Sequence, residues 1–412
     1  MQQKSLHKNI FNIIVIVAAL GYFVDIYDLI LFSIVRVPSL KGLGITDAAE
    51  LKITGIYLLN TQMIGMLVGG ILWGILGDKK GRLSVLFFTI LLYSLANIAN
   101  GFVQNINQYY VLRFIAGVGL AGELGIGITL VSEVMTKETR GYGTTLVSGI
   151  GISGAVVAFL VTDLFDWRMA FWVGGGLGLI LLLMRMAVYE SGMFAKTKSS
   201  SVSRGNFFDL FKTKKNLFKY LKCIFIGVPV WYVIGIIVFL APEIAKNGLH
   251  VKGEIIGGKA VMFHYIGAST GAFLTGLISQ WLKSRRKALL IALSGLVITL
   301  VPFFMMDGMS ANMFYFMLLL IGIPNGYWSV FVTNASEQFG TNLRSTVTTT
   351  TPNLVRGITA IMTLVYASLN ENNGVIFSAA AIGIVVMALA FYSTITIEES
   401  YHKDLDYVEE VS

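Results

Sequence analysis

The sequence predicts an all-α membrane protein in which twelve transmembrane helices form two pseudo-symmetric six-helix bundles. Hydrophobic residues make up 55% of the 412 residues and charged residues only 13%, whereas soluble domains carry about 25% charged residues. Twelve segments are long and apolar enough to cross a bilayer, and a pattern of charged residues repeats between the two halves. Together these observations exclude a soluble globular protein.

Each predicted span is a run of roughly 20 or more mostly apolar residues, the length that a helix needs to cross a bilayer. The spans cover residues 11–35, 53–76, 84–103, 108–134, 143–164, 168–189, 220–242, 258–281, 286–306, 311–334, 345–369 and 373–396. Glycines at short spacings, such as Gly65 and Gly69 in the second span, let membrane helices approach closely. The first span is too long for a signal peptide and lacks a small-residue cleavage site.

The distribution of lysine and arginine predicts which segments lie in the cytoplasm. If the N-terminus is inside, 21 of the 31 basic residues fall in cytoplasmic segments and 7 in outer segments. Basic residues favour cytoplasmic loops. We therefore expect a multi-pass protein of the cytoplasmic (inner) membrane with both termini in the cytoplasm.

A polar stretch divides the spans into six plus six. Residues 191–219 are rich in serine and lysine and break the hydrophobic pattern, which predicts a cytoplasmic linker. The linker separates an N-terminal six-helix bundle at 1–190 from a C-terminal six-helix bundle at 220–397. Residues 398–412 are acidic and predict a cytoplasmic tail.

A charge motif repeats between the two bundles. Glu133 is followed seven residues later by Arg140, and Glu337, 204 positions further along the chain, is followed by Arg344 at the same spacing. Repeated halves are typical of transporters that bind their substrate near the membrane midplane, between the two bundles. The pattern therefore predicts alternating access, in which two similar bundles rock about a central site.

Three carboxylates interrupt the predicted spans. Asp25 and Asp28 lie three residues apart in the first span and therefore share a helical face. A charged aspartate near the centre of a bilayer costs about 3 kcal/mol, so such residues usually face a protein interior or a water-filled path. The pair predicts a protein that moves a solute together with protons. Glu123, in the fourth span, is interpreted either as a proton carrier or as a neutral side chain bonded to nearby backbone.

Several segments resemble one family of transporters. The loop after the second span reads Gly77-Asp78-Lys79-Lys80-Gly81-Arg82 and resembles the G-D-x-x-G-R loop of the major facilitator superfamily, in which glycines permit a tight turn. The fourth span, from Arg113-Phe-Ile-Ala-Gly117 to Gly122-Glu123, resembles the R-F-x-x-G-x-G-x-x-G-E segment of its metabolite:proton symporters. Asp25-Ile-Tyr-Asp28 resembles the D-x-x-D of aromatic-acid and sialic-acid proton symporters, with Ile26 where glycine is usual.

The resemblance implies conformational gates on the cytoplasmic side. The two Glu-to-Arg repeats are similar to the E-x6-R latches of sugar porters. The second copy of the G-D-x-x-G-R loop has Trp281 and Leu282 in place of glycine and aspartate but keeps Arg286. The predicted gating residues are Gly77, Asp78, Gly81, Arg82, Glu133, Arg140, Arg286, Glu337 and Arg344.

The resemblance also implies a proton-coupling pair. In sugar porters an aspartate of the first span pairs with an arginine of the fourth, and the matching residues here are Asp28 and Arg113. Moving the arginine away from the aspartate between conformations changes how readily the aspartate binds a proton. The alternative interpretation is a static ion pair that holds two helices together. Asp25 has no assigned partner and is interpreted as a second coupling group or as part of the substrate site.

Arg356, inside the eleventh span, is predicted to bind the anionic group of a substrate, because its planar guanidinium matches a carboxylate. The alternative is that Arg356 pairs with Glu337 or with a helix end. Other polar or aromatic residues at similar depth are interpreted as pocket wall or as ordinary helix packing. They are Asn60, Gln62, Trp231, Tyr232, His264, Asn325, Tyr327 and Trp328.

The predicted function is secondary active transport, by resemblance the proton-coupled uptake of a small organic anion. Efflux of a drug or metal chelate and uptake of a neutral or zwitterionic solute are alternatives, as are a receptor on a transporter fold and a channel. No phosphate-binding G-x-x-x-x-G-K-S/T is present, which argues against ATP-driven transport. We expect no enzymatic activity, cofactor, metal or nucleic-acid partner, and a monomer whose partners are substrate, protons and lipid.

Overall fold

The computed structural model describes residues 13–80, 82–123, 135, 140–190, 207–401 and 403. The helices of the first half are α1 (Ile13–Gly42), α2 (Ala48–Lys80), α3 (Arg82–Asn100), α4 (Ile106–Leu120), α5 (Arg140–Ile152), α6 (Gly154–Leu164) and α7 (Trp167–Glu190). The helices of the second half are α8 (Lys214–Tyr232), α9 (Ala241–Asn247), α10 (Gly257–Trp281), α11 (Arg285–Met305), α12 (Ala311–Asn325), α13 (Trp328–Glu337), α14 (Thr341–Asn373) and α15 (Val375–Thr396).

Within the described ranges, nine segments are long and apolar enough to span a membrane. The predicted third, fourth and eleventh spans are not among them. The apolar part of α3 is short, and the fourth span continues into residues 124–134, outside the described part of the chain. The polar threonines of α14, together with Arg356, lower the hydropathy of the eleventh span.

Three of the predicted spans are divided into shorter helical segments. The fifth breaks at Ser153, between α5 and α6, and the seventh continues from α8 into a π-helical segment, Val233–Val238. The tenth breaks after Asn325, because Pro324 lacks a backbone N–H and the following Gly326 packs against the carbonyl of Ala268. Breaks of this kind free backbone groups, and membrane proteins place them where they face protein or a cavity.

The internal repeat is visible in how the helices pack. Helix α2 lies against α4, and a Cβ at Gly117 would collide with the carbonyl oxygen of Gln62. Helix α10 lies against α12 in the same way, and a Cβ at Gly322 would collide with the carbonyl oxygen of His264. Both pairs of backbones touch at a glycine, which is how small residues bring membrane helices together.

The two halves meet along two pairs of helices. Helix α14 packs on α2, and α10 packs on α5. Polar contacts cross both seams: Asn353 donates to the Ala121 carbonyl at 2.8 Å, and Ser269 donates to the Gly149 carbonyl at 2.7 Å. The candidate site lies between these seams.

The sequence predicts that the second span ends before a turn at Gly77 and Asp78, and this predicted end is wrong. Helix α2 continues through both residues to Lys80, and α3 begins at Arg82. A helix can run through Gly77 because glycine tolerates helical backbone angles, at a cost of about 1 kcal/mol relative to alanine. Gly81, between the two helices, lies outside the described residues.

Candidate substrate-binding site

A cavity of about 350 Å³, part of it open to solvent, lies between the two halves. Its walls are mostly aromatic and aliphatic, with a single arginine among them. The lining residues are Tyr22, Ile26 and Ile152 from the first half and Val230, Trp231, Ile234, Tyr265, Ala268, Asn325, Trp328 and Arg356 from the second. An apolar wall with few polar groups is typical of a small-molecule site.

Arg356 lies in the wall of this cavity between two indole rings. Its guanidinium carbon is 5.8 Å from the ring centre of Trp231 and 5.7 Å from that of Trp328, distances at which a cation interacts with an aromatic face. Its Nη1 donates to Asn353 at 3.3 Å, while Nε has no hydrogen-bond partner in the described part of the chain. A buried guanidinium with an unused donor is suited to bind an anion.

Asp25 faces Arg356 from the other half of the molecule. The Oδ2 atom of Asp25 is 3.9 Å from Nη2 of Arg356, and both side chains are fully buried. That distance is too long for a hydrogen bond, and neither carboxylate oxygen of Asp25 accepts one from a described residue. The two residues were predicted separately, and the fold brings them together as a loose ion pair between α1 and α14.

Asp28 and Arg113 do not form a direct ion pair in this conformation. Arg113 donates to Asn97 at 2.8 Å and to Asn100 at 3.2 Å, and its guanidinium lies 4.8 Å from the ring centre of Phe171. Both carboxylate oxygens of Asp28 are buried without a hydrogen-bond partner among the described residues. The asparagines of α3 satisfy Arg113 in place of the expected aspartate. Their spacing of three in an apolar span was the signal that sequence reasoning missed.

Glu123 pairs with Arg185 of α7, an arginine to which the sequence had assigned no role. Arg185 Nη1 donates to Oε2 of Glu123 at 3.0 Å, and Nη2 donates to Oε1. Both side chains are buried, and Gly21 of α1 lies so close that a Cβ there would collide with them. A buried carboxylate in a bilayer needs a partner. The interpretation of Glu123 as a neutral group bonded to backbone is therefore replaced by an ion pair, and its proton-carrying role stays a prediction.

A model of the Major Facilitator Superfamily matches residues 18–363, which is most of the chain. The chain belongs to the Major Facilitator Superfamily. It is therefore a multi-pass membrane transporter and not an enzyme. The fold agrees with this assignment: the structure of the proton:xylose symporter XylE superimposes with a TM-score of 0.72 at 16% identity, covering 95% of this chain and 97% of that one.

Curated relatives within the superfamily include transporters of organic acids. The chain is 25% identical over 389 residues to a probable 4-methylmuconolactone transporter of Cupriavidus pinatubonensis, covering 92% of this chain and 89% of the relative. It is 27% identical to the niacin transporter NiaP of Acinetobacter baylyi over 80% of each chain. It is 25% identical to the cis,cis-muconate transport protein of the same organism over 98% of each chain.

Some predicted pocket residues line the cavity of this superfamily member, and others hold helices together. Trp231, Asn325 and Trp328 line it, as does Arg356. The hydroxyl of Tyr232 donates to the Ala379 carbonyl at 2.8 Å and that of Tyr327 to the Ile226 carbonyl at 2.7 Å, so both are occupied in packing. Tyr22 and Tyr265 also line the cavity and were missed, because tyrosine in an apolar span carries no distinctive signal.

The remaining polar candidates are occupied by neighbouring helices. Asn60 accepts from Thr363 of α14 at 2.8 Å, and Gln62 donates to the Leu29 carbonyl at 3.4 Å. Asn325 Nδ2 lies 3.2 Å from Nε2 of His264, which is buried and does not line the cavity. The Nδ1 atom of His264 has no hydrogen-bond partner among the described residues, so His264 is only partly satisfied, and its role stays a prediction.

Glu337, one of the predicted gating residues, pairs with Arg285 of α11. The Nε and Nη2 atoms of Arg285 each donate to Glu337 at 3.2 Å, and Ser400 donates to the same carboxylate at 2.9 Å. Arg286, the predicted gating residue, is exposed, and its backbone N–H donates to Glu399 at 3.3 Å. The sequence did not identify Arg285 as the partner of Glu337, because the helical phase of α11 decides which of the two adjacent arginines faces inward. The gating role of Arg286 stays a prediction.

The other predicted gating residues are described only in part. Arg344 lies in the first turns of α14, where its carbonyl accepts from Thr348 at 2.7 Å. Arg140 begins α5 and Arg82 begins α3, and the structure does not describe the side chains of these two arginines. Glu133 lies outside the described residues. Their gating roles therefore stay predictions.

A further ion pair, which the sequence did not predict, joins the two halves away from Arg285 and Glu337. Arg36, near the end of α1, donates through Nη2 to both carboxylate oxygens of Glu243 in α9, at 2.9 and 3.1 Å. The guanidinium of Arg36 also lies 4.6 Å from the ring centre of Phe239. This contact joins the two halves at the end that the charge bias assigns to the outside.

Proposed function

We propose that this transporter takes up a small organic anion together with protons and that Arg356 binds the carboxylate of its substrate. The observation that carries the proposal is the buried guanidinium in a cavity between the two halves, with an unused donor and an indole on either side. A planar, always-charged donor of this kind suits a carboxylate better than a hydroxyl or an amide.

The aromatic walls of the cavity favour a substrate with a flat group. Trp231 and Trp328 flank the cation and Tyr22 and Tyr265 lie nearby, so a ring or conjugated chain attached to the carboxylate can pack on aromatic faces. The names of the relatives above, which include niacin and cis,cis-muconate, agree with this chemistry.

Proton coupling is proposed from Asp25 and Asp28. Both carboxylates are fully buried in α1, and none of their oxygens accepts a hydrogen bond from a described residue. A carboxylate in this setting is costly as an anion, which favours protonation whenever its cation partner moves away. We further propose an inner-membrane location with both termini in the cytoplasm, from the charge bias, and a monomer.

The proposal is tested with purified transporter in sodium-free proteoliposomes. Radiolabelled benzoate and nicotinate are offered outside at a pH one unit below that inside, with benzamide as the neutral control of nearly the same shape. We expect both acids to accumulate faster than in protein-free liposomes, which their neutral forms cross passively. We expect benzamide to enter at the same rate with and without the protein, and a protonophore to abolish accumulation of the acids.

Each of the other outcomes would support a different coupling ion, substrate or direction of transport. A requirement for sodium would overturn the assignment of protons. Equal saturable uptake of benzamide would indicate a neutral substrate, and loss of preloaded acid under the opposite pH gradient alone would indicate efflux.

A further inference from the structure

Among the described residues, Asp25 is the one acidic side chain within ion-pair distance of Arg356. The two belong to opposite halves, and their closest oxygen and nitrogen are 3.9 Å apart. A carboxylate that binds arginine directly lies about 2.7–2.9 Å away, often through two hydrogen bonds. Asp25 therefore balances the charge of the guanidinium without accepting a hydrogen bond from it. The N–H groups of the guanidinium stay available to a second carboxylate.

One arginine cannot balance two carboxylates in a buried site. When a substrate anion binds Arg356, the site holds two negative groups and one positive group unless one carboxylate is protonated. Like charges this close disfavour the doubly ionised state, and removal from water increases that cost. A proton on Asp25 returns the three groups to zero net charge.

We propose that Asp25 holds Arg356 in the substrate-free transporter and that the carboxylate of the substrate takes over this cation, leaving Asp25 to bind a proton. The inference rests on the proposed function, because it needs an anionic substrate on Arg356. The exchange is balanced: a carboxylate and one proton enter from solution, the Asp25–Arg356 ion pair is replaced by a substrate–Arg356 pair, and an O–H bond forms on Asp25.

The other charged groups around Asp25 do not compensate it. The negative charge of Glu123 and the positive charge of Arg185 lie in direct contact, so their electrostatic effects on Asp25 largely cancel. Asp28, one turn further along α1, is a second anion that interacts with Arg113. The hydroxyls of Tyr22 and Tyr93 face the same region and are neutral in the physiological pH range. Arg356 is therefore the cation whose loss changes the state of Asp25.

The exchange explains why substrate and proton would move together. The empty pair and the fully loaded site both carry no net charge, so either can pass through a closed, dehydrated state as the halves rock. Substrate alone would leave an uncompensated anion between the halves, and a proton alone would leave an uncompensated guanidinium. Either state costs several kcal/mol in a low-dielectric interior, which blocks the half-loaded transporter from changing conformation.

The experiment measures protons taken up when ligand binds. Purified transporter in weakly buffered detergent solution receives benzoate adjusted to the same pH, and a pH indicator reports proton uptake while calorimetry reports binding. We expect one proton per bound benzoate at pH values where Asp25 is ionised in the empty transporter. Over the same pH range, we expect benzoate affinity to fall about tenfold per pH unit.

The decisive variant is Asp25→Asn, with Asp163→Asn at the exposed outer end of α6 as the matched control. Asp25→Asn should still bind benzoate, with no proton uptake and with affinity that no longer depends on pH, whereas Asp163→Asn should behave as the unmodified protein. Gel filtration and thermal unfolding in detergent confirm that each variant is folded.

Two results would overturn the inference. One is proton uptake that persists in Asp25→Asn, which would point to Asp28 if Asp28→Asn loses it. The other is substrate binding by the unmodified protein without any proton. The last measurement needs no variant, so a misfolded Asp25→Asn protein does not remove the test. Failure of benzoate, nicotinate and muconate all to bind would instead reject the proposed function itself.

Discussion

Two buried carboxylate–guanidinium pairs near the midplane of this transporter differ in tightness and in what they join. Glu123 and Arg185 both belong to the first half and share two hydrogen bonds. Asp25 and Arg356 belong to opposite halves and lie 3.9 Å apart without a hydrogen bond. Similar chemical groups thus serve as a fixed brace inside one bundle and as an exchangeable contact between two bundles.

The physical reason for the difference is how well each charge is satisfied. A bidentate contact uses donors and acceptors that would otherwise be stranded in a buried site, so separating it is costly. The pair between the halves leaves two acceptors on Asp25 and one donor on Arg356 unused. The four predictions below test this contrast, from the largest expected effect to the smallest.

Arg185→Met should destabilise the protein by about 3–5 kcal/mol, because it leaves Glu123 charged and unpaired in a buried site. The loss is measured as a shift in thermal or denaturant unfolding in detergent. The double variant Glu123→Gln with Arg185→Met should recover much of it, since no charge is then left alone. A double variant no more stable than the single one would show that the pair is not a brace.

Arg356→Ala should reduce uptake of a carboxylate substrate about 100-fold, because a buried charge-assisted contact is lost. Its effect on stability should be smaller than that of Arg185→Met, since Asp25 can be neutralised by a proton. Uptake of benzoate is measured beside thermal unfolding of the variant in detergent. A loss of uptake that follows a loss of folded protein would mean that Arg356 acts on structure rather than on the anion.

Arg36→Ala should open the outer end of the site by removing the direct ion pair to Glu243. Accessibility is measured with a membrane-impermeant maleimide on an added cysteine, Ile234→Cys, in the cavity wall; the native Cys223 is buried. We expect labelling from outside to increase several-fold. The charge-reversed double variant Arg36→Glu with Glu243→Arg should restore slow labelling, and unchanged labelling in Arg36→Ala would show that this contact does not close the outer end.

Glu399→Gln should have the smallest effect, roughly 0.5–1 kcal/mol, because this carboxylate is partly exposed to water. Burial raises the pKa of Glu399, but hydrogen bonds from Ser284 and from the backbone N–H groups of Arg285 and Tyr401 outweigh it and hold the pKa below its usual 4.5. A lowered pKa stabilises the fold above pH 4.5, and the gain disappears as pH falls through the folded value. The stability difference between Glu399→Gln and the unmodified protein should therefore be present at pH 7 and vanish in acid.

The fold was largely predictable because each span is a local property of composition. Arg356 with its two tryptophans was also predictable as a site, since a charge inside a span and aromatic residues near helix breaks stand out in a single sequence. The residues with which the charged groups pair were not predictable. Asp25 and Arg356 are 331 positions apart, and only the packing of α1 against the second half makes them neighbours.

The same limit applies to details that depend on helical rotation. Arg285 and Arg286 are adjacent in sequence, and only the phase of α11 turns Arg285 toward Glu337. Asn97 and Asn100 take the place of Asp28 beside Arg113 because α3 presents them on the facing side. Sequence pattern identifies which residues are costly in a membrane, and tertiary structure decides which of them meet.

The loose contact between Asp25 and Arg356 has a consequence for the energy source of the transporter. If the carboxylate of a monovalent acid and one proton enter together, no charge crosses the membrane in either direction of the cycle. The transmembrane voltage, worth about 2.3 kcal/mol per elementary charge at 100 mV, then does no work on uptake. Accumulation is limited to about tenfold for each unit by which the cytoplasm is more alkaline than the outside. Such a transporter works best in acidic surroundings and stops when the pH difference disappears, however large the voltage.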